Sequence, residues 1–228
     1  MKAVAQTAVL KNQASQQSKV IKNTYALLAL SMIPTVFGSI VGANMDWSFA
    51  ATNPMLTSIG FLVVSIAIFA AIDKTKDSGT GVALLLAFTG LMGAMLGPLL
   101  NAALSTKTGH MWVAISFGTT AAIFAGMSIL ANVLPAKATQ NWGSYLLWGT
   151  ISLIAISLLS LFIDAPALSM TISAMAILIF SAYIVYDLQR IVRGGETNYV
   201  MATLNLYLSI YNIFSNTLRL LMSFGADE

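Results

Sequence analysis

Seven apolar stretches, each long enough to cross a lipid bilayer, occupy most of this 228-residue chain. A helix needs about 20 residues to cross a hydrocarbon core of roughly 30 Å. Only 8% of the residues are charged, against about 25% in ordinary soluble domains, so water cannot be the solvent for most of the surface. The sequence therefore predicts an all-α integral membrane protein, a bundle of seven transmembrane helices, at residues 24–44, 53–72, 80–100, 111–133, 143–163, 166–190 and 199–223.

The segment before the first span is polar and carries four lysines. No apolar stretch begins within its first 20 residues, so it lacks the pattern of a cleavable signal peptide. The sequence predicts a loose polar cytoplasmic tail over residues 1–22, followed by a seven-helix membrane domain over residues 23–225.

The positive charges indicate an orientation. The tail and the links after the second, fourth and sixth spans hold nine Lys and Arg residues, whereas the opposite side holds only Lys107. Because cytoplasmic segments carry the excess of Lys and Arg, the N-terminus is predicted to be cytoplasmic. Seven spans then put the C-terminus outside.

Composition also argues against several classes of site. The chain has no Cys, which excludes disulfides, thiolate metal sites and a Cys nucleophile. Its one histidine is His110, and no group of acids and His has the spacing of metal ligands. No phosphate-binding loop of the form GxxxxGK is present, and no basic stripe suggests nucleic acid. We therefore predict no catalytic residue, no metal, no cofactor and no enzyme activity, with the lipid bilayer as the main partner.

A polar stripe runs along the seventh predicted span. Asn205, Ser209, Asn212, Asn216 and Arg219 recur at steps of four and three, which places them on one helix face. Because unpaired polar groups in hydrocarbon are costly, we expect this helix at the centre of the bundle. The stripe then either hydrogen-bonds neighbouring helices or lines a conduction path.

Asp187 is the only carboxylate well inside a predicted span. A short link joins the sixth and seventh spans, so residues equally far from it share a depth, and Asn205 and Ser209 are the expected neighbours of Asp187. An ionisable residue in a span suggests function, so Asp187 and the stripe form a candidate proton or cation site. The alternative is that Asp187 is hydrated at the cytoplasmic edge and paired with Arg190 or Arg193.

The second half of the third span carries Gly90, Gly93 and Gly97. The last two form a GxxxG pair, a pattern that allows close approach of two helix backbones, so we predict helix packing here. The alternative is a flexible or water-lined segment that ends at Gly97 and Pro98.

Two segments resemble a known family. Residues 194–214 read GGETNYVMATLNLYLSIYNIF and residues 88–101 read FTGLMGAMLGPLLN. With seven spans and a polar tail, they resemble the Bax inhibitor family of membrane proteins (TMBIM type), in its bacterial YccA-like branch, over about residues 22–224. The motif loop that carries the resemblance is Gly194, Gly195, Glu196, Thr197, Asn198 and Tyr199.

The resemblance implies a seven-helix fold with the last helix in the middle. Some bacterial members of the family are pH-sensitive calcium leaks in which two aspartates on the last two helices share protons. Asp187 matches the first aspartate, but Ser209 occupies the position of the second. The chain also has no Lys or Arg between Lys22 and Lys74, where the leak branch has a basic residue. These departures disfavour a pH-gated calcium leak.

The YccA-like branch also has Ser at that second position. Its members lie in the bacterial inner membrane and are linked to the membrane-bound ATP-dependent protease FtsH, as substrate and competitive modulator. The resemblance therefore implies FtsH as a partner, with residues 1–20 as the handle that the protease grips, and a proton or calcium leak as the alternative function.

Overall fold

The computed structural model describes residues 2–163 and 165–225, with side chains from residue 15 onward except that of Ala136. Over these residues the chain is helical and has no strand. The helices are α1 (Lys2–Ala43), α2 (Ser48–Thr52), α3 (Pro54–Thr75), α4 (Gly79–Leu104), α5 (Gly109–Val133), α6 (Ala136–Thr139), α7 (Trp142–Leu159, continued by a 3-10 turn, Ser160–Phe162), α8 (Pro166–Val192) and α9 (Tyr199–Gly225).

Six of the helical segments are long and apolar enough to cross a membrane. They contain α1, α3, α4, α5, α7 and α8, and they fall where the sequence predicts the first six spans. The seventh long helix, α9, has 27 residues, but its amides and Arg219 make it more polar. The all-α membrane architecture is therefore established, whereas the count of seven spans stays a prediction.

Proline sets where two of these helices begin. Pro54 and Pro166 are the first residues of α3 and α8. The first N–H groups of a helix have no partner within it, so the missing proline N–H costs nothing there, and the fixed φ favours the first turn.

The polar N-terminal segment is not a separate element. Helix α1 runs from Lys2 to Ala43 without a break. The sequence instead predicts a loose tail followed by a span. Val20 and Ile21 already pack against the hydrophobic core, and Gln17 lies beside Gly194 in the link between α8 and α9. Which side of the membrane this segment occupies stays a prediction.

Helix α9 lies at the centre of the bundle. It packs against α8, α5, α1 and α4 and also touches α3. Its Tyr207, Ile213 and Leu218 are almost fully buried. Large apolar side chains point outward on the surrounding helices, as shown by Phe37 and Trp148, which are 67% and 66% exposed. An apolar surface of this kind is suited to hydrocarbon and not to water.

Candidate functional site

Asp187 is buried near the end of α8, with 5% of its surface exposed. Among the described residues it forms no ion pair and no hydrogen bond. Asn205 and Ser209 lie on α9, the helix that packs most closely with α8, and Ser209 is 2% exposed. The structure thus brings Asp187 and Ser209 into the same pair of packed helices without a direct bond between them.

The two arginines proposed as alternative partners of Asp187 bind elsewhere. Arg190 pairs with Glu196 at 3.3 Å and lies over the ring of Tyr186. Arg193 donates to the side-chain oxygen of Gln189 at 2.9 Å and to a backbone carbonyl at 2.9 Å. Among the described residues Asp187 is therefore not paired with either arginine, and its place relative to the membrane edge stays a prediction.

The polar stripe of α9 is its least buried side. Asn205, Asn212 and Asn216 are half-buried, and only Ser209 is fully enclosed. Asn212 and Asn216 donate to carbonyl oxygens one turn earlier in their own helix, both at 2.8 Å. The stripe thus satisfies part of its hydrogen bonding within α9. Whether it serves helix packing or lines a conduction path, the two alternatives that the sequence leaves open, stays a prediction.

The opposite side of α9 carries a hydroxyl cluster that sequence reasoning missed. The Tyr207 hydroxyl lies 2.8 Å from the Thr35 hydroxyl and donates to the Thr89 carbonyl at 3.2 Å. These contacts join α9 to α1 and α4 in the middle of the bundle. One signal was available: Thr35 and Tyr207 both fall near the middle of predicted spans, where hydroxyls need partners.

The first two residues of the motif loop, Gly194 and Gly195, end α8. Gly194 has φ = 72°, a left-handed conformation that glycine adopts without steric cost. Its N–H donates to the Ile191 carbonyl at 3.2 Å, and the Gly195 N–H donates to the Arg190 carbonyl at 2.8 Å. This pair of bonds is a Schellman motif, which satisfies carbonyls at the helix end.

The second half of the loop starts α9 and joins it to another loop. Glu196 accepts from the Asn198 N–H at 3.0 Å, and the Asn198 side-chain oxygen accepts from the Val200 and Met201 N–H groups, as an N-cap does. Its amide also donates to Asp77 at 2.8 Å. The Thr197 side chain is exposed, and Tyr199 packs on the core. The loop therefore connects the end of α8 to the start of α9 and binds the link between α3 and α4 by a hydrogen bond.

Gln189 is a second residue that sequence reasoning missed. It is 3% exposed and donates to the Ala131 and Leu134 carbonyls, both at 3.0 Å. Its oxygen accepts from Thr139 and Arg193. One amide thus connects the ends of α5, α6 and α8. Gln189 and Arg190 stand at the end of a predicted span, and nothing in the local sequence indicates these partners.

The third-span glycines lie at the contact between α4 and α1. A Cβ at Gly93 would overlap the Thr35 carbonyl, and one at Gly97 would overlap the backbone at Gly42. Gly90 is less crowded, with the Pro34 carbonyl 3.5 Å from an added Cβ. On α1, a Cβ at Gly38 would overlap the Gly90 carbonyl, so the two helices touch backbone to backbone.

The described residues do not contain three or more His, Cys, Asp or Glu side chains placed to hold a metal ion. What the site offers chemically is one enclosed carboxyl group beside a partly open polar helix face.

Comparison with known proteins places the chain among relatives of similar length. The family model described as inhibitor of apoptosis-promoting Bax1 matches residues 17–226. A protein of Escherichia coli strain K12 named modulator of FtsH protease YccA is 36% identical over 207 residues, 89% of each chain. An uncharacterised protein of Neisseria meningitidis is 36% identical over 216 residues, 93% of this chain and 94% of the relative. An uncharacterised membrane protein of Vibrio cholerae is 33% identical over 90% of each chain.

Proposed function

From the premise that this chain belongs to the Bax inhibitor family, we propose that it modulates an FtsH-type membrane protease, as substrate and competitive inhibitor, and that it is not an enzyme. The observation that carries the proposal is the 36% identity, over 89% of both chains, to a relative named modulator of FtsH protease. The setting is the inner membrane of a bacterium, with the N-terminus in the cytoplasm.

The handle for the protease is the polar segment that precedes the first span. A threading protease needs a segment that can be taken up without first disrupting packed structure. Val20 and Ile21 of α1 pack on the hydrophobic core, and Gln17 lies against the link between α8 and α9. Residues 2–14 precede these contacts, so this part of the handle can be removed without deleting any of the three.

Close packing between helices makes the chain resist extraction by the protease. After the handle is engaged, the next residues pulled belong to α1, whose backbone is interlocked with α4 at Gly38, Gly42, Gly93 and Gly97. A chain that resists extraction occupies the protease and delays its other substrates. Competition of this kind requires no catalytic residue in the chain itself.

The test is to delete residues 2–14 and to follow turnover of the chain and of a second membrane substrate in cells with and without the protease. A control variant replaces the same residues with a Gly/Ser segment of equal length. We expect the deletion to stabilise the chain and to release the second substrate for faster degradation, while the control behaves as the parent. Unchanged turnover of both proteins in the deletion variant would exclude this function.

A cation or proton leak is the second candidate, and the burial of Asp187 favours it. The carboxyl group is 5% exposed and lies on the helix next to the half-buried stripe of α9. Ser209, in place of a second carboxylate, argues against a coupled acidic pair. The test is calcium and proton flux into proteoliposomes across a pH series, for the parent and for Asp187→Asn. Flux in the parent that Asp187→Asn abolishes supports the leak, and no flux in the parent excludes it.

A further inference from the structure

A cavity of about 350 Å³ lies between α1, α4, α5 and α9. Its walls include Val36, Leu100, Phe117, Ala121, Tyr207 and Phe214. It is separate from Asp187 and from the amides of the polar stripe, none of which line it. Protein interiors contain few voids larger than a water molecule, so a space of this size is unusual.

The lining favours hydrocarbon over water or an ion. Most of its side chains are apolar, and most of the hydroxyls among them donate to protein carbonyls. Thr120 donates to the Ser116 carbonyl at 2.7 Å, Ser39 donates to the Val36 carbonyl at 2.8 Å, and Tyr207 donates to the Thr89 carbonyl. Tyr211 also lines the cavity and its hydroxyl has no hydrogen bond among the described residues, but water in a cavity needs two to four polar partners.

The cavity opens on the surface that faces lipid. Two of its wall residues, Val36 on α1 and Phe117 on α5, are 54% and 59% exposed. At one end Tyr25 meets Phe124 edge to face, which brings α1 and α5 together. The eight residues from Phe117 to Phe124 span roughly 10 Å along α5. The opening is therefore a lateral slot between α1 and α5, continuous with the apolar outer surface.

We propose that this cavity is a binding site for one acyl chain of a membrane lipid, which enters from the bilayer between α1 and α5 and packs against α9. The volume lies at the lower end of the roughly 300–1,000 Å³ of small-molecule pockets, so it fits a single chain and not a whole phospholipid. The occupant contacts the Thr35–Tyr207–Thr89 cluster that joins α9 to α1 and α4.

The test uses the full-length protein in proteoliposomes of phosphatidylcholine with a photoreactive diazirine in one acyl chain. Cross-linked peptides are identified by mass spectrometry. We expect labelling concentrated on Phe117–Phe124 and Tyr207–Phe214, retained after transfer to detergent, and well above labelling around the exposed Tyr145 and Trp148 of α7. Ala121→Trp fills the slot and should reduce the cavity labelling severalfold.

Ala122→Trp is the matched control, because Ala122 is equally exposed on α5 but does not line the cavity. It should label as the parent does. If Ala121→Trp is not recovered folded, the smaller Ala121→Ile serves the same purpose. Equal labelling of cavity and α7 peptides, no loss in either Ala121 variant, or strong labelling of the cavity by a water-soluble carbene reagent would overturn the proposal.

Discussion

The buried amide of Gln189 has a partner for each of its polar atoms, on two other stretches of chain and at the end of its own helix. Replacing it with an apolar side chain of similar size takes a donor from the Ala131 carbonyl and one of two side-chain donors from the Leu134 carbonyl, which keeps Arg193, in a site that is 3% exposed. A buried polar group that loses its partner costs about 1–3 kcal/mol. The local order of the α5–α6 connection therefore depends on this one residue.

We predict that Gln189→Leu lowers the free energy of unfolding by about 2 kcal/mol, because two buried carbonyls lose a hydrogen bond. The measurement is denaturant-induced unfolding in micelles. Gln140→Leu, at an exposed position next to Thr139, is the control and should unfold as the parent does. Equal stability of Gln189→Leu and the parent would contradict the network.

Asn198 offers a second test at single-residue resolution. It accepts from two N–H groups at the start of α9 and ties that start to Asp77. Loss of an N-cap side chain costs about 1 kcal/mol, so Asn198→Ala should lower stability by about that amount or somewhat more, by the same unfolding measurement. Thr197→Ala changes an exposed neighbour that makes no such bonds and should have no effect; similar losses in both variants would argue against the cap.

At the level of helices, the contact between α1 and α4 depends on missing side chains. In hydrocarbon there is no hydrophobic drive for two helices to associate, so close packing has to supply it. A methyl group added at Gly38 or Gly42 of α1, or at Gly93 or Gly97 of α4, would overlap the backbone of the facing helix.

We predict that Gly93→Ala destabilises the protein by about 1–3 kcal/mol, because the new methyl group forces α1 and α4 apart. Gly118→Ala, on α5, is the control: nothing lies within 4 Å of its added Cβ, and Ala is better than Gly within a helix by about 0.5–1 kcal/mol. Gly118→Ala should therefore be neutral or slightly stabilising. The prediction fails if the two variants unfold alike.

The positions of the helices along the chain could be predicted from the sequence, but the contacts between helices could not. Apolar length and the positions of Pro54 and Pro166 give the spans to within a few residues, because both depend on local chemistry. Which face of α9 is most enclosed depends on shape as well as polarity. Tyr207 lies on the enclosed side, although the amides of Asn212 and Asn216 favoured the other. Contacts such as that between Gln189 and Ala131 join residues far apart in sequence, and no local pattern indicates them.

For the whole molecule, the open question is how often the chain crosses the bilayer. Helix α9 has 27 residues and would extend about 40 Å at 1.5 Å per residue, more than a hydrocarbon core of roughly 30 Å. Because α9 is more polar, it is not among the six helical segments that are long and apolar enough to cross a membrane. Its central position weakens that objection, because α8, α5, α1 and α4 surround it and the amides of Asn212 and Asn216 on its half-buried face donate within the helix.

We therefore predict seven crossings, and the absence of native cysteine allows a direct test. Single cysteines replace Gln140, Thr108 and Phe224, all exposed in the structure, and intact spheroplasts are treated with a membrane-impermeant maleimide. None of these changes removes a positive charge that sets orientation. Cysteine at Thr108 or Phe224 should be labelled from outside, and cysteine at Gln140 only after lysis. If the Phe224 variant instead behaves like the Gln140 variant, α9 does not cross, the chain has six spans, and both termini lie in the cytoplasm.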